Sequence, residues 1–436
     1  MISAFTLLFA AALFSLVLHR DFLLKPFALL ALSVSFFYTL DGGSVSLIGF
    51  QTDEQIKLFE LILELVLFAF VLHEEEDISI TQLLFLGASS ILLLQAHTVM
   101  SFIISFESLS LISVVLVSFI KTSQQAEGAV KMFIAGSLAT GILFLGLVFY
   151  VMGGGILLAP LSADGSIFMN IGVFIMLGGI FYKLTIVPFH GWSIDTYALV
   201  RHTHAGVLSG VAKTVAALAI FKIFTPFLGA HISLSIPILA SLAIITMTLG
   251  NVLALFSKNI AKILAYSSIA HAGYLLVAFV AVKSTFASDG ILYMAIAYIF
   301  MQSGAFLALD ILRKNYDVKS LDDIKGLGTH NPLVAFFFTI QLLSLAGIPL
   351  LAGFLGKAVV FYAAVDAGLW WLVLVALLNS ALSVAYYAWI IKHIYFDEGK
   401  MKEVLISIPM PLLAQIILAA GTVFFGVYAS LVFSGV

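Results

Sequence analysis

Gly178-Gly-Ile-Phe-Tyr-Lys183-Leu-Thr-Ile-Val-Pro188-Phe-His190-Gly-Trp192 is an apolar run that carries a lysine and meets a proline five residues later. A polar turn follows, and Ala212-Lys213 then places a second lysine inside the next apolar run. A cationic side chain at bilayer depth is costly, and such residues mark function by default. Proline removes a helical hydrogen bond, which a membrane tolerates only where protein or water satisfies the freed backbone. A buried cation beside a helix break predicts an ion path.

The composition agrees with a membrane setting. Of 436 residues, 62% are hydrophobic and 10% charged, against roughly half and a quarter in soluble domains. The net charge of -3 gives no reason to expect nucleic acid, and the absence of cysteine excludes disulfides, thiolate iron-sulfur ligation and a cysteine nucleophile. Met1 to Leu18 has no basic leading segment or small-residue cleavage site, so it reads as a first membrane helix rather than a signal peptide.

The fold class expected is an all-α integral membrane protein. Spans of about 20 apolar residues, cut at turns and charges, predict helices at 1–18, 22–40, 56–73, 80–95, 98–120, 129–152, 168–187, 204–226, 236–256, 260–282, 288–312, 332–365, 369–395 and 408–432. A short piece, Trp192 to Val200, follows the seventh. The twelfth is too long for one straight span, and Gly347-Ile-Pro349 with Gly353 predicts a second discontinuous helix there. The breaks at Pro188 and Pro349 lie five helices apart, so five-helix units would run in opposite directions, as in transporters built from inverted repeats. The domains expected are 1–78, a three-helix segment; 79–226 and 227–397, the two repeats; and 398–436, a final helix. Lys and Arg set the orientation. Thirteen lie in loops after odd-numbered helices, among them Arg20, Lys25, Lys121, Arg201, Arg313, Lys314, Lys400 and Lys402, against Lys57, Lys222 and Lys283 on the even side. Odd loops are then cytoplasmic and both termini outside.

Four ionisable groups form a candidate chain: Glu107 in the fifth run, Lys183 before the first break, Lys213 in the eighth run and Lys357 after the second break. A lysine in poorly hydrated surroundings gives up its proton readily, and an approaching carboxylate restores it. A Glu107–Lys183 pair that opens and closes would load and unload Lys183, and Lys213 and Lys357 would relay the proton. The competing reading is that each lysine snorkels to an interface or closes a static ion pair. His190, His202, His204 and His271 titrate near neutral pH and suit a relay. Tyr266, Ser267, Ser268 and Tyr274 share the helix of His271 and can hold water there; their alternative role is interhelical hydrogen bonding. Glu60 and Glu64, four apart on one helix face, read as near-interface residues, with a lateral contact to a partner subunit as the alternative, and Asp310 reads as near-interface. No metal cluster or phosphate loop stands out, so no metal site and no redox cofactor are expected in this chain.

Phe181-Tyr-Lys183-Leu-Thr-Ile-Val-Pro188-Phe-His190-Gly-Trp192-Ser-Ile-Asp195-Thr-Tyr197 resembles the helix-seven signature of the N-type subunits of respiratory complex I. Lys258-Asn-Ile-Ala-Lys262-Ile-Leu-Ala-Tyr266-Ser-Ser-Ile-Ala-His271-Ala-Gly-Tyr274 resembles their helix ten, and Leu343-Ser-Leu-Ala-Gly-Ile-Pro349-Leu-Leu-Ala-Gly-Phe-Leu-Gly-Lys357 their helix twelve. That antiporter-like family includes Mrp-type sodium/proton antiporters and membrane-bound hydrogenase subunits. The resemblance implies a proton-translocating subunit of a quinone oxidoreductase, with Glu107, Lys183, Lys213 and Lys357 as the proton path. It also implies flavin and iron-sulfur clusters in partner subunits, other membrane and peripheral subunits and lipid as neighbours, and the cytoplasmic membrane of a bacterium or archaeon as location. An Mrp-type antiporter or hydrogenase subunit is the transport alternative, and a membrane spacer the structural one. One departure stands out: the family's Gly-Ala-Pro-x-Pro-Val turn is replaced by Leu199-Val-Arg201-His202-Thr-His204-Ala-Gly-Val.

Overall fold

The computed structural model describes residues 4–17, 21–41, 49–118, 122–163, 165–399 and 409–429. The helices are α1 (Ala4–Val17), α2 (Asp21–Leu40), α3 (Glu54–His73), α4 (Asp77–Leu94), α5 (Val99–Val117), α6 (Ser123–Met152), α7 (Ile167–Leu184), α8 (Gly191–Leu199), α9 (His202–Gly206), a π-helical turn (Val207–Ala212), α10 (Lys213–Ala230), α11 (Ile232–Phe256), α12 (Ile260–Val280), α13 (Ala287–Tyr316), a 3-10 turn (Leu321–Ile324), α14 (Leu327–His330), α15 (Pro332–Ala346), α16 (Ala352–Asp366), α17 (Trp370–Tyr395) and α18 (Pro409–Val427). Among the described residues there is no β-strand, only the isolated bridges Phe50–Ala96 and Asn259–Ser320. In hydrocarbon a chain must satisfy its own backbone groups, and helices do this locally.

Each of the fourteen expected stretches contains a helix, but eleven helices among the described residues are long and apolar enough to cross a membrane. Ala4–Leu16 and Pro332–Ala346 are apolar but shorter, and α3 carries Glu54, Lys57, Glu60 and Glu64. Arg20, Lys121, Lys400 and Lys402, used in the orientation count, lie outside the described residues. Several helices start at side-chain caps that occupy otherwise unpaired amides. Asp53 accepts from the Ile56 amide, Thr98 and Ser101 form a reciprocal capping box, and Ser166 and Asn259 cap α7 and α12.

Both expected breaks are present and they end alike. At the end of α7, Thr185 adopts the left-handed conformation (φ 58°), and the Ile186 amide bonds back to Phe181 O at 3.1 Å. At the end of α15, Gly347 does the same (φ 88°), and the Ile348 amide bonds back to Leu343 O at 3.0 Å. These are αL terminations that satisfy the last carbonyls of a helix. The Val187–Pro188 peptide is cis, and the Val187 amide donates to Thr246 Oγ1 of α11 at 3.2 Å. A π-helical turn, which no sequence pattern signalled, precedes Lys213.

Helix α13 is the buried centre. It touches α3, α9, the π turn, α10, α12, α15, α16 and α18, and its residues from Gly290 to Leu312 are buried. Small residues let other helices approach backbone to backbone. A Cβ on Gly146 of α6 would lie 2.6 Å from the Gly172 carbonyl of α7, and one on Gly172 would lie 2.6 Å from the Gly146 carbonyl. This seam holds α7, and with it Lys183, against α6.

Candidate proton path

Three lysines sit inside the helical body: Lys183 is 5% exposed, Lys213 0% and Lys357 3%. Each is held by neutral oxygen atoms. Lys183 Nζ donates to Ser113 Oγ at 2.8 Å and weakly to Leu109 O at 3.4 Å. Lys213 Nζ donates to Thr185 Oγ1 at 2.7 Å and to the carbonyl of Ser268 at 3.1 Å, with the Ser268 hydroxyl also in contact. Lys357 Nζ donates to Leu345 O at 3.0 Å, Ala346 O at 3.2 Å and Ser380 Oγ at 3.1 Å. It also lies 5.1 Å from the Tyr274 ring centroid, within range of a cation–π contact.

The breaks explain these partners. A helix end presents unpaired carbonyls and a partial negative charge. Lys357, one turn into α16, reaches back to the carboxyl end of α15. Lys213 reaches Thr185, the left-handed residue that ends α7. Two lysines therefore sit where interrupted helices expose oxygen atoms.

Glu107 is half-buried on α5 and accepts from Thr140 Oγ1 of α6 at 3.1 Å on each carboxylate oxygen. It lines a cleft of about 210 Å³ with Ser110, Ser137, Thr140, Tyr182 and Lys183. Glu107 and Lys183 share that cleft but are engaged by Thr140 and Ser113, not by each other. Any exchange between them passes across the cleft.

His271 lies fully buried on α12 between the two halves of the lysine chain. Its Nδ1 faces Ser267 O at 2.9 Å, its Nε2 has no well-formed hydrogen bond to a described residue, and its ring is 5.1 Å from that of Tyr298. The adjacent hydroxyls join helices together. Ser267 meets the Tyr387 hydroxyl. Asn251 Nδ2 donates to Tyr274 at 3.1 Å, and Tyr386 donates to Asn251 Oδ1 at 3.0 Å. Tyr266 is half-buried on the flank of α12. His190 precedes α8, with its carbonyl accepting from the Ser193 hydroxyl at 2.8 Å and its buried Nδ1 making no well-formed hydrogen bond to a described residue. Pro188 is exposed at the break. Asp195 pairs with Lys131 of α6 at 2.6 Å, which ties α8 beside the first break. Ser113, Thr185 and Ser380 escaped the sequence reading; a hydroxyl next to a break is the signal that points to Thr185.

Three residues read as near-interface are buried within the protein. Glu60 and Glu64 are 2% and 1% exposed; Gln95 donates to Glu60 at 2.9 Å, and the Ser35 hydroxyl contacts Glu64. Asp310 is buried against His73 Nε2 at 2.9 Å, with Lys314 at 3.6 Å. Packing of α3 between α2, α4 and α13 covers them. Among the described residues no group of three or more His, Asp or Glu is placed to hold a metal.

The family described as NADH:quinone oxidoreductase/Mrp antiporter, transmembrane, matches residues 96–383. The chain belongs to this family. The match takes in Glu107, Lys183, Lys213, Lys357 and both helix breaks. Among curated relatives, F(420)H(2) dehydrogenase subunit N of Methanosarcina mazei is 33% identical over 89% of this chain and 85% of its own length. NADH-quinone oxidoreductase subunit N of Trichlorobacter lovleyi is 34% identical over 80% of this chain and 74% of its own. Solved structures share the fold. A chain of respiratory complex I from Thermus thermophilus superposes with TM-score 0.86 at 24% identity, covering 98% of both chains. A chain of the Mrp complex from a Dietzia species superposes with TM-score 0.86 at 19% identity, covering 98% of this chain and 93% of its own. Family and fold together make this an antiporter-like integral membrane protein.

Proposed function

We propose that this chain is the N-type antiporter-like subunit of a complex I-type quinone oxidoreductase and that Glu107, Lys183, Lys213 and Lys357 carry protons through it. The observation that carries the reading is that all three interior lysines rest on neutral oxygens. A lysine locked to a carboxylate resists deprotonation, whereas one held by hydroxyls and carbonyls exchanges a proton without breaking an ion pair. Glu107 takes or gives a proton across the cleft to Lys183, Lys213 links the first break to Ser268 of α12, and His271 lies between Lys213 and Lys357. Flavin and iron-sulfur clusters belong to partner subunits in this reading, and the chain itself holds no redox cofactor. Redox energy released in the partners drives proton uptake from the cytoplasm and release on the side of both termini, across a bacterial or archaeal cytoplasmic membrane. Residues 79–226 and 227–397 form the two inverted units, flanked by 1–78 and 398–436.

The test is proton pumping by the purified, reconstituted complex. Lys183→Ala and Glu107→Ala are expected to lower coupled pumping by about a hundredfold or less, the scale of a lost proton-transfer group, with the subunits still assembled. Wild-type pumping in both variants would sink the reading. The relative named for F(420)H(2) keeps the electron donor an experimental question. Assay of the same preparation with NADH and with reduced F(420) distinguishes the donors, and sodium-dependent transport without quinone reduction would favour the Mrp-type alternative.

A further inference from the structure

The departure at Leu199–Val207 is part of a buried charged chamber. Arg201 Nη1 meets Glu74 at 2.9 Å and Glu76 at 3.4 Å. His204 Nε2 lies 3.3 Å from Ser79 Oγ, and His202 Nε2 lies 3.4 Å from Arg313 Nη1. Asp310 and His73 complete it. The chamber gathers the ends of α3, α9 and α13 on the face that carries Lys25, Arg201, Arg313 and Lys314.

From this chamber a polar seam runs inward between two continuous stretches, His202–Lys213 and α13. His202 to Lys213 is eleven residues, a rise of about 16 Å, or roughly half the hydrocarbon thickness. On α13, Gln302 lies two turns inward of Asp310. Gln302 Nε2 donates to Ser209 Oγ of the π turn at 3.4 Å and to Leu264 O at 3.3 Å. A Cβ on Gly210 would meet Ser303 Oγ at 2.2 Å, so the two helices touch at this level. Thr203 Oγ1, Gln302 Oε1 and Ser303 Oγ are buried atoms with no hydrogen-bond partner among the described residues. Buried polar groups are almost always satisfied, and those without a protein partner are where ordered water sits.

The seam has one dry layer. At Gly206, between the chamber and the Ser209–Gln302 level, Phe306 and Phe70 close in: a Cβ there would lie 3.0 Å from Phe306 Cβ and 3.2 Å from Phe70 Cζ. Phe306 is one turn from Asp310 on one side and one turn from Gln302 on the other.

We propose that the seam between His202–Lys213 and α13 is the route by which protons reach Lys213 from the face carrying Arg201, with Phe70 and Phe306 as its gate. This rests on the proton-carrying reading above and assigns it an uptake side. The chamber of histidines and Asp310 collects the proton, the phenyl layer blocks free flow, and the Ser209–Gln302–Ser303 level passes the proton inward through water. A π turn adds a residue to the helix and marks functional sites; here it aims Ser209 at Gln302 one turn before Lys213.

The complete complex, reconstituted into vesicles with variants of this chain, tests the route. Gln302→Met keeps the volume and removes the amide; it is expected to lower redox-driven proton uptake about tenfold or more, and Gln302→Glu to restore it. Phe306→Ala is expected to raise passive proton leak under an imposed pH gradient without redox turnover, a gain that mere misfolding of the seam in an assembled complex does not produce selectively for protons. Potassium leak measured in the same vesicles separates the two. If Lys213→Ala loses pumping while Gln302→Met pumps normally and Phe306→Ala leaks no protons, the route is wrong and the proton-carrying reading stands. If Lys213→Ala pumps normally, that reading falls and the route with it. Should Gln302→Met fail to assemble, the leak of Phe306→Ala decides alone.

Discussion

A buried ammonium is tolerable only with several oxygen partners around it. Lys213 has three contacts of this kind and Lys357 three, all to hydroxyls or backbone carbonyls. Carboxylates are kept apart from them: Glu60 and Glu64 lie on α3, and Asp310 is paired to His73. These carboxylates play a different part. Asp310 draws His73 of α3, Lys314 of its own helix and, through the chamber, the turn at Arg201 to one place. Asp310→Asn takes away the carboxylate that meets His73 Nε2 at 2.9 Å in a buried site, an effect of about 1–3 kcal/mol. It is expected as a clear drop in the thermal midpoint of the purified complex. A midpoint equal to wild type would show that the pair contributes nothing to cohesion.

At the scale of the element, interruption of helices is what creates the site. The two αL terminations leave oxygen atoms pointing into the interior, and a lysine answers each one. The interruption itself must be supported. After α7 the chain turns at Thr185, and the Val187 amide would be unpaired without Thr246 of α11. Thr246→Val retains the shape and removes the acceptor. It is expected to cost about 1–3 kcal/mol, the penalty for an unsatisfied buried amide, and to loosen the Lys213–Thr185 contact. Hydrogen exchange at residues 185–190 is expected to accelerate; an unchanged exchange pattern would remove Thr246 from the account of the break.

Across the whole molecule, the connections that follow the odd-numbered members of the fourteen expected stretches meet on one face. Lys25 Nζ donates to Leu72 O and Glu74 O at 2.8 Å each, Arg201 reaches Glu74, and Arg313 reaches His202. Leu321 and Lys258 join by a backbone hydrogen bond of 3.0 Å. On the opposite face Lys222 donates to Gln51 O at 3.3 Å and Leu94 O at 3.4 Å. The excess of positive charge on the first face predicts that it is cytoplasmic. The chain has no cysteine, so single cysteines report topology cleanly. In intact cells Lys283→Cys is expected to react with a membrane-impermeant thiol reagent, and Lys319→Cys only after the membrane is opened. The reverse pattern would invert the orientation and place the chamber outside.

Apolar runs determined the helical membrane class, because only a closed hydrogen-bonded backbone survives in lipid. Gly-Ile-Pro349 and Lys183 with Pro188 determined that two helices are interrupted, because proline and glycine act locally through their own dihedrals. The four ionisable positions were legible for the same reason: a charge inside an apolar run is visible without any fold. What those charges touch was not. Glu60 and Glu64 are buried because α2, α4 and α13 pack on α3, Asp310 because α3 brings His73 against it, and nothing along α3 or α13 alone records that cover. Thr185 and Ser268 hold Lys213 from 28 and 55 residues away. The turn at Arg201 read as a departure from a family pattern, and only the ends of α3 and α13 turn it into a chamber. Local dihedrals and hydropathy are written residue by residue, whereas partner choice belongs to the packing of helices distant in sequence.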